Sequence, residues 1–432
     1  NAGQQQLMYT WYTNMPDLPY KTGTGSTYSR PAMLAPWWGY YSSYYCYDNS
    51  AADCSIRTRT VPFEGKGTDV SADITVDTTW ALIDSPIRVN PSSSTGYLSV
   101  AADLTIEPGV EVQFAPGKGL SFDGACDQFV AEGNATDHIK FSGQNGGTWK
   151  GIAFTAACST STDDRHTLTY VDFNDTTDAA IAAGSRHGSS PSSTSNVGNF
   201  TMAHVTFSNV GAAFQHGSGQ GTVVTMHEFS VADASEACFD FAEDSVVKLT
   251  NGSMDDCNSG SNPDGAAVKN TPGSTAGSLY MENLTIDDAM VNLIDVDLSN
   301  VYINNVITTS ATSQSGIAIN ATGKSATSSF YAKDFDASGY ASSNIMSLTQ
   351  IIMDNVDLGS ADLKIRPGGN VQTDGPTGAD AQFDDVTAGD LDMARMAPWM
   401  YNLDVDVLTF SGNSPGSSTV KGDNWDTNVM SF

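Results

Sequence analysis

Basic residues are scarce in this chain: 19 Lys and Arg stand against 49 Asp and Glu in 432 residues, a formal net charge of -30. Displacing counterions from phosphate needs a basic face, so a simple nucleic-acid binder is excluded. Glutamate is scarce as well, since Asp supplies 41 of the acids and Glu only 8. A helical protein leans on Glu, Lys, Leu and Ala, which lose little rotamer freedom in a helix, and this composition excludes a mostly helical fold. Long hydrophobic runs are missing: no stretch approaches the roughly 20 apolar residues that span a bilayer. The segment from Ile345 to Met353 is broken by Ser347, Thr349 and Gln350. The chain starts at Asn1 without Met or an apolar leader, and so reads as processed or cut from something longer.

What is present favours strands and turns. Asp, Asn, Gly, Ser and Thr supply turn chemistry, and Val, Ile and aromatics supply strands. The six cysteines fall as three sequence neighbours, Cys46 with Cys54, Cys126 with Cys158 and Cys238 with Cys257. An even count without Cys-x-x-Cys reads as disulfides in an oxidising compartment. Six cysteines allow 15 pairings, of which neighbour pairing is the preferred one; free thiols in a cytosolic protein are the alternative. Zinc is disfavoured by the spacing and by the scarcity of His. Six Asn-x-Ser/Thr sequons, at Asn134, Asn174, Asn199, Asn251, Asn283 and Asn320, would permit glycans on an exported chain.

Residues 1–79 form a distinct zone. The first fifty residues hold 9 of the 16 Tyr and 3 of the 7 Trp, interrupted by Pro16, Pro19, Pro31 and Pro36. Such prolines break a continuous helix or central strand, so the zone reads as an irregular, aromatic-rich cap or arm. As an arm it would dock on a neighbouring subunit through Trp11, Trp37, Trp38, Tyr40, Tyr41, Tyr44 and Tyr45, because Tyr and Trp concentrate at interfaces.

From about Trp80 the pattern turns to short strands. Val100, Ala102, Leu104 and Ile106 alternate with small or polar residues, Pro108-Gly109 turns the chain, and Val110, Val112 and Phe114 alternate again. A looser theme follows in Leu168–Phe173, Met202–Phe207, Val224–Phe229, Leu279–Ile286, Val301–Val306, Phe330–Phe335 and Ile351–Val356. Aligning the last apolar residue of each gives steps of 34, 22, 57, 20, 29 and 21 residues, and the longest leaves room for a rung near Val246–Met254. Repeats of about 20 to 30 residues with two or three strands each describe a solenoid whose coils bury one another's inner faces. Val405, Val407 and Phe410 would make a last rung, with a capping segment from about residue 401 and Trp425 covering the end.

Leu104-Thr-Ile-Glu-Pro-Gly-Val110, Ile139-Lys-Phe141 and Thr148-Trp-Lys-Gly-Ile152 resemble the opening rungs of right-handed parallel β-helix proteins of the pectate-lyase-like class, many of them secreted or surface-displayed. The close match covers about Leu98 to Phe173. The resemblance implies an all-β, right-handed parallel β-helix over residues 80–432, with Trp149 and Ile152 packed at a turn into the core. It does not fix an activity.

No complete catalytic motif accompanies the fold. Asp255-Asp256-Cys257 and Asn262-Pro-Asp-Gly265 resemble polygalacturonase motifs, but in reversed order and within one coil. Arg186-His-Gly188 and Gln215-His-Gly217 lack the leading Gly, and Lys364-Ile-Arg366 inverts Arg-x-Lys. A lyase would need clustered acids on successive rungs. Asp287, Asp288, Asp295 and Asp297 are weak candidates to hold a structural calcium, since hard oxygen ligands suit it, although Asp also caps turns with its own backbone. His166, His187 and His216 lie in turn-like sequence, whereas His204 and His227 sit at matching strand positions and would stack. The expectation is a structural, self-assembling extracellular or cell-surface protein, a homo-oligomer or polymer of filament, sheath or surface-layer type. A polysaccharide-binding or polysaccharide-cleaving β-helix is the alternative.

Overall fold

The computed structural model describes residues 41–46, 54–59 and 67–431, except 125, 157–163, 185–196, 217–221, 243–244, 258–265, 272–276, 288–291, 299, 310–315, 324–327, 349, 368–379, 395–396 and 412–420. One 29-stranded sheet dominates, and its pairings are parallel. Adjacent strands in space are one coil apart in sequence, which defines an all-β solenoid.

The first coils lay down three short strands per turn. One face stacks Thr78–Trp80, Leu104–Ile106 and Phe129–Glu132. A second stacks Thr68–Val70, Ile87–Val89, Glu111–Phe114 and Ile139–Gly143. A third stacks Tyr97–Val100, Gly119–Phe122, Ile152–Phe154 and Ala179–Ala183. In the coil that starts at Leu104, Pro-Gly turns separate them: Val110 N–H donates to the Glu107 carbonyl and Lys118 N–H to that of Ala115. Gly109 and Gly117 take the positive φ that the third position of such a turn requires, 79° and 69°.

From Asp164 the first two faces are served by single bent strands. Asp164–Asn174 pairs with both Phe129–Glu132 and Ile139–Gly143, and the pattern continues through Asn199–Val210, Val223–Ala234, Val246–Cys257 and Ser278–Asp287. The expected rung near Val246 is thus occupied. The register corrects the sequence alignment. Val171, Val205 and Phe229 share one inward row, while Phe173, Phe207 and Val231 share the next. Matching Phe207 to Phe229 crossed two rows, because both positions point inward on a strand of period two.

The core follows that alternation. Trp149 is fully buried and stacks on Phe114 at 4.1 Å, as the family resemblance implied, and its indole N–H donates to the Asn174 carbonyl at 2.7 Å. Phe141, Phe173 and Phe207 stack at 5.0 and 5.2 Å on successive coils. Each such ring contributes about 1.5–3 kcal/mol by burial. Further along, aliphatic residues fill most of the rows, with Leu279, Met281, Val301, Ile303, Ile351 and Met353 buried beside Phe330 and Phe335.

Both ends differ from expectation. The parallel sheet begins at Thr68, ahead of Trp80. Within the zone read as irregular, Tyr41–Cys46 and Cys54–Arg59 form an antiparallel hairpin; the prolines lie before it, and Tyr has a strong strand preference. At the other end, Ala397–Ser411 and Lys421–Ser431 are two more parallel strands stacked on the sheet, so the segment expected as a cap from residue 401 continues the solenoid. Trp425 lies in register with Leu403, as a rung position. Among the described residues no helix is long and apolar enough to cross a membrane.

Candidate functional site

Where the first face bends into the second, one residue per coil adopts a left-handed backbone: Tyr170, His204, Glu228, Asn251, Asn283, Asn305, Asp334, Asn355 and Asp385, with φ between 49° and 56°. A side chain in this region costs energy because Cβ crowds the carbonyl, and Asn and Asp tolerate it best. In the later coils those residues form a ladder. Asn283 donates to Asn251 Oδ1 at 2.9 Å, Asn305 to Asn283 Oδ1 at 2.8 Å, and Asn355 to Asp334 Oδ1 at 2.7 Å.

Tyr170, His204 and Glu228 break the Asn/Asp rule on three consecutive coils. Backbone strain of this kind concentrates where side-chain identity matters. His204 Nδ1 lies 2.7 Å from one Glu228 oxygen, and His227 Nε2 lies 3.7 Å from the other. Tyr170 stacks on His204 with ring centres 4.1 Å apart, and His138 packs beyond it at 5.4 Å while its Nδ1 meets Asp172 at 3.1 Å. Three of the six histidines therefore join one partly exposed stripe along the corner. It can present imidazole, phenol and carboxylate groups to a ligand lying along the solenoid axis. The expected His204–His227 stack is corrected: His227 registers with Ala203, and Glu228 occupies the corner of its coil. Met202 pairs with Met226, and His204 lies two residues beyond the first whereas His227 follows the second directly. Only the non-Asx residues at the corner could have flagged the stripe.

A second corner repeats the device with Asp175, Asn209, Asp233 and Asp256, and Asn209 donates to Asp175 at 2.8 Å. The Asp255-Asp256 pair is thus part of a structural corner. At the third corner, Asp77 accepts from Asp103 N–H and Asp103 from Gln128 N–H. Burial raises the Asp127 carboxyl above its usual range, and the charges of Asp103, Asp123 and Asp77 add to the shift.

The calcium candidates separate. Asp287 ends its strand in register with Asp255, whereas Asp295 and Asp297 lie on the third face. Asn320 donates to Asp295 at 2.8 Å and Asn270 to the Asp297 carbonyl at 3.2 Å. Lys269 is the register neighbour of Asp295 and sits 3.5 Å from Asp240. Asp288 lies outside the described residues. Among those residues no three His, Cys, Asp or Glu side chains gather to hold a metal.

Cys238 and Cys257 are disulfide-bonded, joining consecutive coils with Cα atoms 5.2 Å apart. Cys126 is disulfide-bonded as well, while Cys158 lies outside the described residues. Cys46 and Cys54 face each other in the hairpin register, as do Tyr44 with Ile56 and Tyr45 with Ser55. Trp11, Trp37, Trp38, Tyr40 and His187 lie outside the described residues.

His166 and His216 are buried in the core. His166 Nε2 meets the Val197 carbonyl at 2.9 Å, and His216 Nε2 meets Thr222 Oγ1 at 3.1 Å. Burial lowers the His216 pKa to about 4.

The site and fold define a parallel β-solenoid with polar corner ladders. No protein-family model and no curated protein matches the sequence.

Proposed function

We propose that the chain is a structural subunit of an extracellular or cell-surface assembly, of the filament, sheath or surface-layer kind. One observation carries this reading: Thr68–Val70, the first strand of the parallel sheet, is paired on one side only among the described residues, with Ile87–Val89. Unpaired strand edges are templates for another chain, and a head-to-tail contact that does not close generates a filament. The resemblance to secreted, right-handed pectate-lyase-like helices and the buried Cys238–Cys257 disulfide support an exported location. In this reading the aromatic N-terminal zone, with Tyr41, Tyr44 and Tyr45 on its hairpin, is an arm that grips a neighbour.

Negative-stain microscopy of the native preparation tests it, with ordered polymers expected. Deleting the residues before Thr60 should leave a folded but unassembled solenoid. A deletion that cannot fold would make the zone a cap, and monodisperse particles under all conditions would end the assembly reading.

A second reading, polysaccharide binding, is favoured by the stripe in which His138 packs beside the strained Tyr170, His204 and Glu228. An outward row supports it: Tyr280 stacks on Tyr302 at 4.8 Å, with Lys248 5.9 Å from the Tyr280 ring. The stacked rings present edges and phenol groups rather than open faces. Glycan-array binding lost on Tyr170→Asn would favour this reading over assembly.

A further inference from the structure

The geometry points to Asn134 as the N-glycosylation site of this protein, and to the other five sequon asparagines as structural residues closed to modification once the chain has folded. The inference rests on the exported reading above and goes further by choosing among sites that the sequence leaves equivalent.

An N-linked oligosaccharide is joined through the Asn side-chain nitrogen, and the transferase must also reach the Ser or Thr two residues on. Asn134 meets both demands. It is exposed, as is Thr136, in a turn between the first and second faces. The turn is held by the oxygen of the amide: Asn134 Oδ1 accepts from Thr136 N–H at 3.0 Å, from Thr136 Oγ1 at 2.7 Å and from Asp137 N–H at 3.0 Å. That leaves Nδ2 outside the turn's own hydrogen bonds, so a sugar attached there preserves them.

Each of the others fails for a physical reason. Asn199 is buried at 7% exposure, and its Oδ1 caps Val223 N–H. Asn174 precedes a buried Thr176, whose hydroxyl donates to the Asp178 carbonyl. Asn320 commits Nδ2 to Asp295. Asn283 commits Nδ2 to Asn251, and Asn251 directs its own Nδ2 towards His227 Nδ1 at 3.5 Å. A glycan on either of these would push a sugar between stacked coils and cut the corner ladder.

The test imposes export, so that a wrong location and a wrong site fail separately. The full 432-residue chain is secreted from a eukaryotic host behind an added signal peptide. The folded fraction is then deglycosylated in heavy-oxygen water and mapped by peptide mass. Asn134 should carry at least tenfold more label than any other sequon. Asn134→Asp, which keeps the oxygen acceptor and removes the nitrogen, should lose the glycan mass with an unchanged melting temperature. An empty Asn134, or equal occupancy at Asn251, Asn283 or Asn320 in folded protein, overturns the inference. Failure of native material to carry glycan while the secreted chain does would count against the exported reading alone.

Discussion

The coils before Asp164 and the coils after Val246 keep one cross-section by different means. In the earlier region, short turns, Pro-Gly in the coil from Leu104, cut each coil into three short strands, and rings stacked in the interior hold the coils in line, from Phe114 and Trp149 through Phe141 and Phe173. In the later region a single strand bends at an Asn or Asp, and side-chain amides link neighbouring bends, Asn251 to Asn283 to Asn305 and Asp334 to Asn355. The first arrangement spends its specificity inside the core, where packing is dense and volume changes are felt. The second places it at the corner, in contact with water, where each hydrogen bond contributes only about 0.5–1.5 kcal/mol. Between them lie the coils in which Tyr170, His204 and Glu228 replace the amide ladder.

Substitutions sharpen this contrast. Trp149→Ala removes a fully buried ring and its hydrogen bond to Asn174, and should lower unfolding free energy by about 3–5 kcal/mol in denaturant titration. A loss below about 1 kcal/mol would mean that the ring stack does not organise the early coils.

The next largest effect is one of pH. Burial holds His216 neutral in the folded state down to about pH 4, whereas the unfolded chain takes up the proton near its ordinary pKa of about 6.5. The unfolded state therefore binds more protons between those values, and stability present above about pH 6.5 is lost as pH falls towards 4, by about 3 kcal/mol. His216→Leu should flatten that acid limb in melts recorded from pH 7 to 4; an unchanged slope would place the acid sensitivity elsewhere.

Asn283→Ala cuts two ladder hydrogen bonds and puts a poorly suited residue at a left-handed bend, for a cost of about 1–2 kcal/mol. If it matched the loss at Trp149, the two regions would not differ as described. The smallest effect is a gain. Glu228→Asn relaxes the bend at the price of an exposed contact to His204, and should stabilise by less than about 1 kcal/mol. A clear destabilisation would show that the stripe holds the fold together instead of standing free for a ligand.

Much of the architecture was legible in the chain. The alternation at Leu104–Ile106 and Val110–Phe114, the Pro108-Gly109 turn and the rung at Val246 all appear as read. These are local features, set by which neighbours point the same way. The C-terminal coils were misread as a cap because Trp425 looks like a lid until its partner Leu403 is known. The corner stripe was half seen: His204 and His227 stood out as residues, but their offset depends on the register between coils, which sets Met202 opposite Met226. Three of the calcium candidates separate for a related reason. Asp287 and Asp295 are near in sequence, yet a corner sends them to different faces.

The residue order alone determined that this protein is built of strands, that its coils recur every two to three dozen residues, and which positions turn inward. Period-two alternation and turn chemistry act over a few residues and need no distant partner. Only the tertiary structure decided which polar groups meet and on which face each acid lies. Those outcomes depend on the register between coils, where a shift of one residue exchanges a solvent-facing side chain for a buried one.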